Sequence, residues 1–246
     1  MTIPSPMLSP RSNAQVLGLP LHLVVDYPAW LADRLNAGES THVVTLNAEM
    51  AMQAQENDRL ATVIHQADLV VPDGAGVVFY LRLRGQRIQR CPGIELAEQM
   101  LVQAAQTRWP VFFYGGEPGV AATAAHKWQA RYPQLVMAGV EDGYGDAAAQ
   151  ALLLARLQQL QPRLIFVGLG VPRQEFWIQE HRALCPQATW VGVGGSFDIW
   201  ADRKSRAPQV LRNNNLEWTY RLYQEPWRWR RMLALPHFAW KAVRGK

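Results

Sequence analysis

Asp73 follows the apolar run at residues 69–72 and stands directly before Gly74-Ala75-Gly76. A carboxylate where a buried strand opens into a helix is partly desolvated and can take a proton from a hydroxyl, as a general base does. The same position suits a helix N-cap, and spacing leaves both readings open. Thr45 and Asn47 stand in the same way at the end of the run 42–46. Their side chains suit hydrogen bonds to sugar hydroxyls or to a phosphate, and equally an N-cap. Gln174 and Glu175 open a helix after Pro172. An acid in a first turn is favourable in itself, whereas an amide at a strand end can read a sugar or a base. The glycine runs 168–173 and 192–197 let backbone N–H groups approach an anion, or simply make tight turns. Neither completes a GxGxxG pattern, since Arg173 and Phe197 occupy the third glycine position, and the chain has no GxxxxGK[ST]. A dinucleotide-dependent oxidoreductase of Rossmann type is therefore the weaker alternative.

The last 46 residues hold eleven Lys/Arg against the three acids Asp202, Glu217 and Glu225, together with seven aromatic side chains. The whole chain carries +5, so a mildly acidic body ends in a basic, aromatic arm. Such asymmetry points to an anionic partner: phosphate, a membrane surface or nucleic acid. Arg221 lies on a helical segment, and Arg228 and Arg231, three apart, project from one face of the next. Arginine favours planar, bidentate phosphate contacts. The interleaved tryptophans suit the headgroup level of a bilayer. A solvated amphipathic face is the plainer account. A nucleic-acid-binding module is disfavoured because an acidic body with a strand-end cleft gives it no use.

The six histidines are scattered, with no HxxxH, HxH or DxD pattern, so no metal site and no cofactor is expected. Cys91 and Cys185 lack metal-ligand spacing and fit a reducing cytosol. No apolar run approaches the length that spans a bilayer. Residues 1–15 carry proline and serine in place of an apolar signal core and read as a disordered leader. Hydrophobic content of 49% and charged content of 18% describe a globular chain.

The elements that must position these residues follow from periodicity. Residues 16–25 read as a hairpin turning near Gly18 and Pro20. Asp26 caps a helix with Pro28 early in it, Leu31 and Leu35 on one face and Gly38 beyond its end. Residues 42–46, 68–72, 109–116, 133–140, 162–170 and 188–195 contain short apolar runs, most of them ending in glycine, with helical segments between them, among them 48–66 (broken near Asn57), 120–131, 147–161 and 174–184. Strands alternating with helices imply a Rossmann-like α/β domain over 16–200. Its mostly parallel sheet is covered by helices on both faces, followed by a helical, basic appendage over 201–246. Ligands of such sheets bind outside the carboxyl ends of the strands, where the residues above fall.

Taken in order, the runs 45–49, 72–76, 168–175, 192–198, 206–208, 216–222 and 225–226 resemble the WecG/TagA/CpsF glycosyltransferases. The resemblance covers about residues 16–232. It implies an inverting transfer of an N-acetylmannosamine-type sugar from a UDP donor to a polyprenyl-diphosphate-linked N-acetylglucosamine. The implied place is the inner face of the bacterial cytoplasmic membrane, in cell-surface polysaccharide synthesis. It implies Asp73 as the base, Thr45, Asn47 and Gln174 as substrate contacts, and Arg221, Arg228 and Arg231 closing over the pocket to bind the diphosphate. The appendage would meet the anionic membrane, and a homo-oligomer is compatible with the sequence without being required by it. Asn213-Asn214-Asn215 replaces a usual glycine, in a turn that asparagine tolerates, and Thr219 replaces a usual leucine.

Overall fold

The computed structural model describes residues 14–214, 216–229 and 234–244 of the 246. Six parallel strands form one sheet: β3 (Thr41–Leu46), β4 (Leu69–Pro72), β5 (Val111–Gly115), β6 (Met137–Glu141), β7 (Leu164–Gly168) and β8 (Thr189–Gly192). Their order is β4-β3-β8-β7-β5-β6. A two-stranded antiparallel hairpin, β1 (Ala14–Val16) and β2 (Leu19–Leu21), forms a second, separate sheet that packs beside β4, where the His22 N–H donates to the Val70 carbonyl at 2.9 Å. It turns at Leu17-Gly18, both at positive φ, at the expected Gly18, and Pro20 lies within β2. Ala14 and Gln15, read as the end of a leader, belong to β1, and residues 1–13 lie outside the described residues.

The expected helices are present. Asp26 caps α1 (Tyr27–Ala37) through a 3.0 Å bond from the Ala29 N–H, and Gly38 closes it in the left-handed region. The helical stretch after β3 breaks at Asn57, which caps α3 (Asp58–Gln66) and so separates it from α2 (Ala48–Ala54). Along the chain follow α4 (Ala75–Leu83), α5 (Gly93–Thr107), α6 (Val120–Arg131), α7 (Ala147–Leu160), α8 (Arg173–His181) and α9 (Ser196–Trp200). The C-terminal region adds α10 (Gln209–Asn213), α11 (Glu217–Gln224) and α12 (Ala234–Arg244).

Alternation along the strands divides the core in two. Val43, Val71, Val111, Phe113, Phe166 and Val191 face α1, α5, α6 and α9. Their neighbours Val44, Leu46 and Val70 face the hairpin, α2, α3 and α4, and Phe112, Tyr114, Ile165 and Trp190 face α7 and α8. A sheet apolar on both faces has no room for function between its strands, so polar side chains collect where the strands end. The close approach of these ends is enforced by glycine. Gly115 has φ +123°, and a Cβ there would lie 2.5 Å from the Gly168 carbonyl oxygen, which accepts the Gly116 N–H at 3.0 Å.

Gly115→Ala therefore meets backbone, not a movable side chain. We expect it to lose about 2 kcal/mol or more of stability, read as a lowered urea midpoint. An unchanged midpoint would show that β5 and β7 do not approach in this way.

Candidate active site

A cavity of about 510 Å³ opens at the carboxyl ends of β3, β4, β7 and β8. Thr45, Asn47, Asp73 and Gln174 all line it, together with the loop after β8 and residues 204–207 of the C-terminal region. Four of the expected site residues, drawn from three separate stretches of chain, thus share one cavity.

Register explains the first three. Leu46 pairs with Pro72 across β3 and β4, so Asn47 and Asp73 are the next residues on adjacent strands. The Asp73 N–H donates to the Leu46 carbonyl at 2.9 Å. Gly74, at φ +89°, lets the chain turn where a Cβ would meet the Asn47 Cβ at 3.5 Å. The N-cap position of α4 falls on Gly74, one residue beyond Asp73. Asn47 does cap: its side-chain oxygen accepts the Met50 N–H at 2.9 Å. That bond fixes the amide at the cavity edge. Thr45 is buried, and its hydroxyl sits 3.5 Å from the Gly192 carbonyl. Gly93 packs directly on it, since a Cβ there would lie 2.8 Å from Thr45 Cγ2. Cys91 lies beside this group. Burial first, then the charges of Asp73 and Glu95, push its thiol up to about 12, so it is no nucleophile at neutral pH.

Gln174 is nearly inaccessible and holds the opposite wall. Its amide oxygen accepts the Gly170 N–H at 3.2 Å and the Gly194 N–H at 3.0 Å. It thereby ties the loop after β7 to the loop after β8. Its amide nitrogen donates to Glu175 Oε1 at 2.8 Å. A carboxyl oxygen that accepts from the amide fixes which end of Gln174 is oxygen, and so which end can hold the two loops. Glycine at 192 makes room, because a Cβ there would lie 2.4 Å from Gln174 Nε2. Sequence reading did not assign Glu175 this part. Its only signal was a carboxylate immediately after the glutamine, in a first turn already explained by the helix dipole.

The C-terminal region supplies the remaining wall. Lys204 bonds Asp198 at 3.3 Å and Glu225 at 3.0 Å, Arg90 meets Glu217 at 3.4 Å, and Gln224 and Trp227 reach the cavity. Arg231 lies outside the described residues, as do the side chains of Arg221 and Arg228. Asn214 ends α10 at φ −95°, outside the left-handed region; Asn215 is outside the described residues. Thr219, at the usual leucine position, turns its hydroxyl back onto the Leu216 carbonyl at 2.6 Å. Among the described residues, no group of three or more His, Cys, Asp or Glu could hold a metal ion.

Glu175 gives the site a pH signature. Desolvation outweighs its hydrogen bonds and raises its carboxyl from the ordinary value of 4.5 to about 7. The native state then keeps a proton that the unfolded state releases. The associated stability is present below about pH 4.5 and is lost as pH rises through about 7. Urea unfolding between pH 5 and 8 should show a decline on the order of 3 kcal/mol in the wild type, and a flatter curve in Glu175→Gln. Parallel curves would show that Glu175 titrates normally.

Comparison with known proteins places this geometry in a lineage. The family model described as "Glycosyl transferase WecG/TagA/CpsF family" matches residues 14–246. A protein of Bacillus spizizenii named N-acetylglucosaminyldiphosphoundecaprenol N-acetyl-beta-D-mannosaminyltransferase is 38% identical over 205 residues, covering 83% of this chain and 79% of its own. Proteins of the same name from Bacillus subtilis strain 168 and Staphylococcus aureus strain MW2 are 36% and 35% identical. The former alignment covers 80% of this chain and 77% of the relative, the latter 85% and 84%. The dinucleotide-dependent oxidoreductase is set aside, and the chain belongs to the WecG/TagA/CpsF family of glycosyltransferases.

Proposed function

We propose that this glycosyltransferase moves N-acetylmannosamine from a UDP donor to N-acetylglucosamine linked through a diphosphate to a polyprenol, in cell-surface polysaccharide synthesis. The observation that carries the reading is the shared cavity of Thr45, Asn47, Asp73 and Gln174 in a chain whose relatives are named for that sugar and that lipid-linked acceptor.

In this reading Asp73 takes the proton of the acceptor hydroxyl. The oxygen attacks the anomeric carbon from the face opposite UDP, and the bond to the departing phosphate breaks with its electron pair on that oxygen. Configuration inverts, as one displacement requires. Thr45 and Asn47 hold sugar or phosphate oxygens. Gln174 spends its oxygen on the two loops, and its second amide N–H is left for substrate. Helix α4 begins at the cavity, so its dipole favours an anion there.

The departing diphosphate gathers negative charge in the transition state, and we assign its stabilisation to Arg221, Arg228 and Arg231 in place of a divalent ion. In support, three other cavity acids already face cations: Asp198 and Glu225 face Lys204, and Glu217 faces Arg90. Among the described residues no helix is long and apolar enough to cross a membrane. We place the protein peripherally on the cytoplasmic membrane's inner face, held by the basic, tryptophan-bearing C-terminal region against anionic lipid.

UDP release should be measured with UDP-N-acetylmannosamine and a lipid-diphosphate N-acetylglucosamine analogue, with a chelator present throughout. Full activity is expected; dependence on an added divalent cation would refute the arginine assignment. Asp73→Asn should lower kcat by about 10²–10⁴-fold, and unaltered turnover would remove Asp73 as the base. Arg228→Ala should lower kcat/KM by about 10²-fold, most visibly when the donor is limiting.

A further inference from the structure

Helix α4 starts at the second residue after Asp73 and leaves one flank in solvent. Val77, Val78, Tyr80 and Leu81 are buried and fix its inner side. Gly76 and Tyr80 form a row that receives Phe238 of α12. The Phe238 ring lies 3.6 Å from a Cβ placed on Gly76 and 5.7 Å, centroid to centroid, from the Tyr80 ring. At about 100° per residue, Phe79 and Leu83 make the adjacent row, four residues apart. Both are exposed, at 47% and 49%. Across the seam, α12 exposes Trp240 and Val243 on the side away from Phe238.

Charge identifies the partner. Arg82, Arg84 and Arg87 are exposed at the end of α4 and in the turn beyond it. Between Asp73 and Glu95 the sequence has no acid. An apolar row edged by arginine, with no carboxylate near it in sequence, has the composition of a helix that lies in a membrane interface. Each nearby arginine contributes about 1 kcal/mol toward an anionic lipid surface. Phe79 is about 6 Å along the axis from the first residue of α4, so a bilayer meeting it brings lipid headgroups alongside the cavity mouth.

We propose that the Phe79–Leu83 flank of α4, beside α12, is a contact surface for an anionic bilayer. It rests on the membrane reading above and adds to it a contact made by the body of the protein itself. That contact orients the cavity, where the C-terminal region alone would only tether it.

The test uses the full chain and vesicles of phosphatidylglycerol and phosphatidylcholine in equal parts. Co-sedimentation should fall roughly tenfold or more in Phe79→Ser/Leu83→Ser, with UDP release on a short-chain, water-soluble acceptor unchanged. Trp240→Ser/Val243→Ser probes the C-terminal contact separately. If that variant loses binding while the α4 variant binds like wild type, this inference fails and the membrane reading stands. If wild type itself stays in the supernatant, the membrane reading fails and takes the inference with it. A concentration-dependent dimer in lipid-free sedimentation, lost in the α4 variant, would assign the flank to a second copy of the chain instead. As an independent readout, Leu83→Cys carrying an environment-sensitive dye should shift its emission to the blue on adding vesicles, after subtraction of unsubstituted protein. Unshifted emission would overturn the proposal.

Discussion

Burial of the sheet on both faces is the constraint from which the rest of the molecule follows. Every residue of β3 is buried, as is every residue of β4 and β8. A parallel sheet sealed in this way can present chemistry only where its strands stop, and four neighbouring strands stop at one place. Adjacent registers then bring together side chains far apart in sequence: Asn47 beside Asp73, and Thr45 beside Gly192. The glycines of these loops serve mainly as space. Gly93 admits Thr45, Gly192 admits the Gln174 amide, and Gly168 admits Phe197. They build a cleft by close packing, which explains why they fit no dinucleotide fingerprint.

The charge asymmetry of the chain has an internal half. Arg203 pairs with Glu117, Lys204 with Asp198, and Arg206 and Arg212 with Glu95, so the basic C-terminal region is matched to acids of the body. Exposed pairs of this kind contribute between 0 and about 1 kcal/mol each. The stronger fastening is apolar. Phe238 is buried in the same cluster as Val77, Tyr80 and Leu81 of α4 and Met50 and Ala51 of α2, and burying such a ring contributes about 2 kcal/mol. Charge sets where the region lies, and Phe238 holds its last helix there.

Much of this was legible in the sequence because it rests on local rules. Alternating apolar runs and helical segments gave the α/β class, Asp26 and Gly38 marked both ends of α1, and Asn57 marked the break between α2 and α3. The positions after each run pointed to the cavity. What stayed hidden depends on contacts between distant segments. Whether Asp73 or Gly74 caps α4 turns on a backbone angle of +89° that spacing does not reveal. Of the two residues expected near the hairpin turn, Gly18 makes it and Pro20 sits within β2, a choice that spacing did not reveal. Gln174 read as a substrate contact, yet its oxygen is spent on Gly170 and on Gly194, the latter twenty residues further along the chain, and no periodicity encodes that pairing. Glu175 looked like an ordinary first-turn acid, since burial is invisible one residue at a time.

Helix α4 joins these separate facts. Its start is fixed by Asp73 and Gly74 at the cavity, and its Gly76 lies so close to α2 that a Cβ there would meet the Ala48 Cβ at 2.8 Å. Asn47 caps that same α2. The first turns of the two helices therefore cannot move independently, and Asn47 and Asp73 keep their spacing only while α2 and α4 stay packed. Phe238 lies at this seam too, its ring 3.6 Å from the same Cβ placed on Gly76. Withdrawing α12 would expose Phe238 and Tyr80 and loosen the packing that keeps Asn47 and Asp73 in register.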